Sequence, residues 1–519
     1  MSAASLQSFF AWYATQQADG QEPWLIFGKG PTFAKRHEYD TSRFRTMSLN
    51  HAVREQHVTV AHMIDLDVAD ACGELLVTNA EYVVMPWYPH VNNKAGSISL
   101  DVLAQTHSTL RRLAERGRLL WYNASTGKSA AVNSPIVPVR FFSAEAAINI
   151  LAMAGVRTIR SLGIDGGASY ASDFDDLKDK TLLANQRLTF NRQFAEIAKT
   201  IMKTGIDFAP LDIESPVRVY IAATEVQMLA VKVLEYSIRK HASMSVEIYP
   251  LHLSGIEVPT PKDTQNLPRT PFTYQRFLIP ALCEHQGRAI YMDSDMQVFK
   301  DIRQLWSLPF EGADLLAVRA SEASGRKPQF SVMLMDCARL PWKICNIIDD
   351  LDAGRLTYEQ LMYEMKIVGA INPAIDPVWN SLEYYKEGRT ALLHYTDMNT
   401  QPWISVRNPL GYLWFRDLFD AIEQGFISID SVREHVEKGY IRPSVMYQIE
   451  HRLEDSFLLP KAARLLDKDF HAPYLGISSH TGSPWRNPLA KARALAQYIY
   501  QATPLYRAVR ALKERYLNR

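Results

Sequence analysis

Cysteine is scarce. Four occur in 519 residues, at positions 72, 283, 337 and 345, and no two are spaced as CxxC. That excludes a disulfide-built scaffold and a cysteine-rich zinc module, and it suits a reducing compartment. A charge excess is also missing. Lys plus Arg number 57 against 56 Asp plus Glu, a net charge of +1, so the chain as a whole has no nucleic-acid signature. No apolar run approaches the roughly 18 residues that a membrane helix requires. The opening MSAASLQSFFAWYATQQADG lacks the basic start and long apolar core of a secretory signal. Internal repeats and low-complexity tracts are absent too. Together these absences give the expectation of a cytoplasmic globular protein.

What is present is ordinary in bulk and informative in order. Hydrophobic residues make up 47% and charged residues 22%, enough apolar material for sizeable cores. After a helix expected over about 4–16, Pro23-Trp24-Leu25-Ile26-Phe27 reads as a strand running into Gly28-Lys29-Gly30-Pro31. The runs VTVAHMI, YVVMPW, LLWYN and TIRSLGI then alternate with helix-like segments to about residue 210, the pattern of a mainly parallel α/β sheet. A second strand–helix–strand unit starts at Val217, with Val226, Leu229, Val233, Leu234 and Ile238 at helical spacing and VEIYPLHL after them. The reading is therefore α/β with two Rossmann-like domains: residues 1–211, residues 212–420, and a helical region over 421–519 with a basic end. From Arg486 onward eight Lys/Arg face one acid, Glu514. That tail reads either as a solvated basic helix or as one lying peripherally on an anionic inner-membrane surface.

The segment richest in chemistry is Arg288-Ala289-Ile290-Tyr291-Met292-Asp293-Ser294-Asp295-Met296. A short buried strand ends in carboxylates at i and i+2, which strand geometry turns to one face. Such a pair can hold a divalent cation through oxygen, and the cation can neutralise a departing diphosphate. A bare DxD triplet is common by chance, but this one has ordered company. Arg276-Phe277-Leu278-Ile279-Pro280-Ala281-Leu282 precedes it. Asp301-Ile302 and Leu305-Trp306 follow, then Ile375-Asp376-Pro377-Val378-Trp379-Asn380, then His394-Tyr395-Thr396 and Gln401-Pro402-Trp403.

In this order the blocks resemble glycosyltransferase family 8, the retaining family of glycogenin and bacterial lipopolysaccharide galactosyl- and glucosyltransferases. The resemblance implies a GT-A fold at about 216–420 and a nucleotide-sugar donor, a UDP-sugar. The cofactor that the resemblance implies is Mn2+ or Mg2+, with Asp293, Asp295 and His394 as ligands. An imidazole among carboxylates suits Mn2+ better. It further implies that Arg276 reaches the donor and that Asp293 and Ser294 contact it. Ala222, Ala223, Thr224 and Glu225 fall near the base and ribose, at the carboxyl end of a strand. Asp376 falls beside the reacting carbon, or else caps the turn that Pro377 opens. Trp379 and Trp403 read as packing residues before sugar platforms. Two departures stand out. Ile375-Asp376-Pro377 replaces the family's Asp-Gln-Asp, and Gln401 stands where a diphosphate-binding Lys is expected, with Lys327 or Arg407 as substitutes. The implied function is transfer of a hexose to a surface glycan or lipid-linked saccharide, with a dead sugar-binding scaffold as the rival.

The first domain has its own pattern. Gly28 and Gly30 with Pro31, Ser48-Leu49-Asn50, Ser143-Ala144-Glu145 and Gly163-Ile164-Asp165-Gly166-Gly167 with Tyr170 resemble sialyltransferases of families 42 and 29 and pterin-pyrophosphokinase-like domains. The resemblance places Gly28, Gly30, Asn50 and Asp165 around a CMP or other nucleotide, and makes a bifunctional transferase a second reading. No histidine lies between His107 and His241, where those enzymes keep a catalytic one.

Overall fold

The computed structural model describes residues 6–16, 22–130, 134–141, 143–177, 189–319 and 330–473. The basic tail therefore lies outside the described residues. The chain divides into two compact units, residues 1–216 with 242–245, and residues 217–241 with 246 onward. The short return of 242–245 to the first unit has a backbone cause: Ser245 N donates to Phe208 O at 2.8 Å. Residues 421–473 pack with the second unit. Among the described residues no helix is long and apolar enough to cross a membrane.

Unit 1 is built on β1 (Gln7–Ser8), β2 (Trp24–Phe27), β3 (Arg45–Leu49), β4 (Val58–His62), β5 (Ala80–Pro86), β6 (Leu119–Ala124), β7 (Thr158–Leu162) and β8 (Asp207–Pro210). Their order is β1-β6-β5-β4-β3-β2-β7-β8, parallel at every step. The helix expected over 4–16 is shorter: α1 (Phe9–Thr15) starts where the Ser8 hydroxyl accepts from Ala11 N at 3.1 Å. The reason for a parallel sheet is visible in β2. Trp24 and Ile26 enter one core with Phe9, Met47, Val60 and α3 (Ser143–Met153), while Leu25 and Phe27 enter the other with Val83, Met85 and α2 (Leu66–Asn79). A strand apolar on both faces must be covered on both, which crossover helices do.

The chain winds outward from β2 to β6, then returns to place β7 on the other side of β2. The carboxyl ends of β2 and β7 therefore flank a topological switch point, where open α/β sheets form a crevice. There Gly28 N donates to Leu162 O at 2.7 Å and Gly30 N to Gly163 O at 2.9 Å. The two loops touch backbone to backbone. A Cβ on Gly28 would lie 2.2 Å from Gly163 O, and Gly163 itself sits at φ +83°.

Unit 1 also buries neutral imidazoles. Burial pushes His62 down to about 3. Burial, then the charges of Lys29 and Arg54, bring His51 to about 3. Below the ordinary value of 6.5 the unfolded chain takes up protons that these folded rings refuse. Stability linked to them is therefore lost as pH falls from about 6.5 toward 3. The thermal midpoint of unit 1, followed calorimetrically, is expected to drop between pH 6.5 and 5, and His62→Phe should flatten that slope.

Unit 2 carries β9 (Val217–Ala222), β10 (Val246–Pro250), β11 (Arg288–Asp293), β13 (Leu315–Val318), β14 (Val332–Asp336) and β15 (Ile371–Ile375) in the order β10-β9-β11-β14-β13-β15. Only β14 runs against its neighbours. This mixed sheet, with helices between its strands, is of the α/β class expected for the second domain. A separate three-stranded sheet, β12 (Met296–Val298), β17 (Leu392–His394) and β16 (Ser381–Leu382), stands beside the end of β11. Helix α5 (Met228–His241) follows β9, and its Lys240 pairs with Asp417 and Asp420 of α6 (Gly411–Glu423), each at 2.8 Å.

Candidate active site and metal centre

Asp293 is the last residue of β11, Ser294 and Asp295 form the turn, and Met296 opens β12. Strand β12 pairs antiparallel with β17, setting Met296 opposite His394, and Tyr395 N donates to Asp295 O at 2.8 Å. A backbone ladder thus carries the imidazole to the two acids. His394 Nε2 lies 3.0 Å from Asp295 Oδ1 and 4.0 Å from Asp293 Oδ2.

The remaining atoms of these residues are tied to the protein. Asp293 Oδ1 accepts from the Tyr291 hydroxyl at 2.5 Å and lies 3.6 Å from the Arg276 guanidinium. Asp295 Oδ2 accepts from Gln401 Nε2 at 2.9 Å. His394 Nδ1 lies 2.9 Å from Asn380 Oδ1. With the amide oxygen accepting, Nδ1 carries the proton and Nε2 offers its lone pair. One oxygen of each carboxylate and one ring nitrogen therefore face one another, with Nε2 within hydrogen-bond reach of Asp295 Oδ1. Asp295 Oδ1 is buried and receives no aligned hydrogen bond. Ligand atoms of the three residues lie within 4.8 Å of one another, the one such group of three among the described residues. Two oxygens and an imidazole nitrogen that converge on one point fit a divalent cation.

Electrostatics agree with crowded acids. Burial alone would lower His394; the charges of Asp295, Asp293 and Glu383 outweigh it and raise the imidazole above its ordinary value. Burial pushes Glu383 up to about 7. That residue holds a left-handed backbone at φ +49°, its N–H donates to His394 O at 3.1 Å, and its carboxylate accepts from Asp397 N at 2.9 Å. A non-glycine residue held there is a local strain that its neighbours must sustain.

Sequence reasoning did not assign roles to Glu383, Tyr291 or Asn380. Asn380 was within reach, since a metal-binding histidine usually donates its second nitrogen to an oxygen. Removing that acceptor gives a clear expectation. Asn380→Leu should weaken Mn2+ binding by about ten- to hundredfold, read by titration of free Mn2+, with the thermal midpoint little changed.

The other expected residues divide. Arg276 is buried, donating to Phe330 O at 3.1 Å and lying over the Tyr291 ring. It faces the far side of Asp293. Ser294 is buried between the two acids. Ala222 and Ala223 are fully buried at the end of β9, and Ala223 exchanges two hydrogen bonds with the Gln275 side chain. Thr224 caps the next turn with Gln227, and Glu225 is exposed and paired with Lys438 at 3.1 Å. Asp376 is exposed, and its carboxylate accepts from Val378 N at 2.9 Å, which is the capping role. Trp379 and Trp403 are buried, the latter against Tyr395 and Trp414. Gln401 holds Asp295. Arg407 is exposed, and Lys327 lies outside the described residues.

In unit 1, Gly28, Gly30, Asn50, Ser143, Asp165 and Tyr170 all line one cavity of about 670 Å³. The glycine N–H groups are spent on β7, as described. Asp165 is spent on Thr32: Oδ2 accepts its N–H at 2.7 Å and Oδ1 its hydroxyl at 2.5 Å. Asn50 sits at φ +54° and gives Nδ2 to Ser143 Oγ at 3.0 Å, while its Oδ1 is buried without a partner.

Known proteins resemble parts of this chain. Protein CDI of Arabidopsis thaliana is 32% identical over 97 residues, 18% of this chain, so the chain spans 38% of the length of that curated relative. Among solved structures, the glycosyltransferase GlyE of Streptococcus pneumoniae is 18% identical, with 39% of this chain and 60% of that one covered at a TM-score of 0.30. Mouse xyloside xylosyltransferase 1, in its apo form, is 12% identical, covering 36% of this chain and 99% of that one at a TM-score of 0.26. The family model for Glycosyl transferase family 8 matches residues 188–354, a range that includes both aspartates and stops short of His394. The segment that carries the Asp293–Asp295 pair is thus similar to glycosyl transferase family 8.

Proposed function

We propose that unit 2 is a retaining, metal-assisted glycosyltransferase that moves a hexose from a UDP-sugar to a glycan or lipid-linked saccharide. The observation that carries this reading is the convergence of Asp293 Oδ2, Asp295 Oδ1 and His394 Nε2 at the carboxyl end of β11. When bound there, a divalent cation supplies positive charge to the diphosphate leaving group. The protein's own residues prepare the place. Tyr291 and Arg276 fix one oxygen of Asp293, Gln401 fixes one oxygen of Asp295, and Asn380 sets the imidazole tautomer. Groups held before the reaction cost no reorganisation in the transition state. In this reading the acceptor hydroxyl attacks from the face the diphosphate leaves, and a phosphate oxygen takes its proton, so no protein base is assigned.

A screen of UDP-, GDP- and CMP-sugars, with Mn2+ and with chelator, tests the proposal through release of the nucleotide. Turnover of a UDP-sugar that requires Mn2+ and disappears in His394→Ala is the expected result. Turnover that persists with chelator, or glycan binding without any turnover, overturns it.

A further inference from the structure

Next to the three converging side chains, Glu383 stands at a cost. It follows β16, whose Leu382 is in parallel register with His394, and its backbone is left-handed at φ +49°. Glycine enters that region freely, and a residue with a side chain like glutamate's does not. The place is also hostile to its charge. Burial disfavours the carboxylate there, the charges of Asp397 and Asp295 add to that, and His394 opposes them. Backbone strain of this kind persists only where surrounding contacts sustain it, and it gathers at functional sites. Position 383 therefore carries two penalties that a glycine would avoid, and the side chain must do something that offsets them.

The backbone at 383 makes a contact that any residue but proline could make. Its N–H donates to His394 O at 3.1 Å, while the next amide, Tyr395 N, donates to Asp295 O at 2.8 Å. The side chain makes another. Its Oε1 accepts from Asp397 N at 2.9 Å. Asp397 is 7% exposed and shapes a turn, its Oδ1 accepting from Asn399 N at 3.0 Å and its carbonyl from Thr400 N at 2.9 Å. The turn delivers Gln401, whose Nε2 donates to Tyr395 O at 3.1 Å and to Asp295 Oδ2 at 2.9 Å. Residues 395–401 thus leave one member of the cluster, His394, and return to another, Asp295. Glu383 grips the middle of that arc from outside it.

We propose that Glu383 is a positioning residue of the metal centre: by holding Asp397 N, its carboxylate fixes the 395–401 arc so that Gln401 sets Asp295 within reach of the cation that His394 shares. The hydrogen bond does this, and the negative charge does not. This role rests on the reading of Asp293, Asp295 and His394 as a cation site.

Mn2+ titration of the full chain, read from the electron paramagnetic resonance of the free ion, compares the parent with Glu383→Gln, Glu383→Ala and Glu383→Gly. Glutamine accepts the same N–H without a charge, so Glu383→Gln should stay within a few-fold of the parent. Glu383→Ala and Glu383→Gly should both weaken Mn2+ binding by about tenfold, the low end for partners that stand behind a metal ligand. Glycine suits the left-handed backbone, so Glu383→Gly should melt at or above Glu383→Ala, and it carries the comparison should the alanine variant fail to fold. Parent affinity in Glu383→Gly overturns the proposal, because the side chain then contributes nothing. Glu383→Gln as weak as Glu383→Ala overturns it too, because charge then carries the effect. A parent that binds no Mn2+ below millimolar removes the cation reading itself and the role of Glu383 with it, a result distinct from either.

Discussion

Asp295→Ala is expected to lower kcat/KM for the sugar donor by about a thousandfold, roughly 4 kcal/mol of transition-state stabilisation. The size follows from where the residue stands. Asp295 supplies one of three converging ligand atoms, its Oδ1 standing 3.0 Å from His394 Nε2. Its structural duties are slight, since its side chain holds the Gln401 amide and sits in a turn. The variant should therefore fold, melt within a few degrees of the parent, and fail in Mn2+ binding and turnover together. Melting at the parent temperature with turnover intact would remove the metal from the mechanism. Asp293→Ala is a less clean probe, because it also strips the Tyr291 hydroxyl and Arg276 of their shared acceptor.

The second large effect is on folding. Gly28→Ala is expected to cost more than about 3 kcal/mol, or to prevent unit 1 from folding, because the added Cβ meets Gly163 O at 2.2 Å. Neither partner is a flexible side chain: both loops are backbone, locked by the Gly28–Leu162 and Gly30–Gly163 hydrogen bonds. Gly155→Ala is the matched control. Gly155 has φ +92° and open space around its Cβ position, so it reads conformational strain alone and should cost only about 1 kcal/mol. Equal midpoints for the two variants in urea unfolding would show that the glycine contact carries no weight.

These two cases show what a linear sequence discloses. The strands of unit 1 were legible, because β2, β4, β5, β6 and β7 are apolar runs between polar segments and each was expected where it occurs. The Asp293–Asp295–His394 group was legible through ordered blocks, not through any property of His394 alone. The purpose of Gly28 and Gly30 was not legible. A glycine turn after a strand suggests N–H groups presented to a phosphate, yet these N–H groups are donated to β7, whose neighbourhood only the folded topology reveals. Gln401 is similar. Its type alone suggested a charge lost from the diphosphate, and the structure gives it a different task, gripping Asp295. Glu383 left no local signal, since its raised pKa and left-handed backbone arise from residues distant in sequence.

The β12–β17 ladder has a consequence for biosynthesis. The acids emerge from the ribosome well before the imidazole that completes their claw, and that imidazole is seated only when the strand bearing it zips against Met296. A nascent chain halted at residue 354 would hold the whole matched family segment and still present two of the three converging side chains. Completion of the three-residue cluster is thus a late event, and it marks a polypeptide whose second unit has been made and closed.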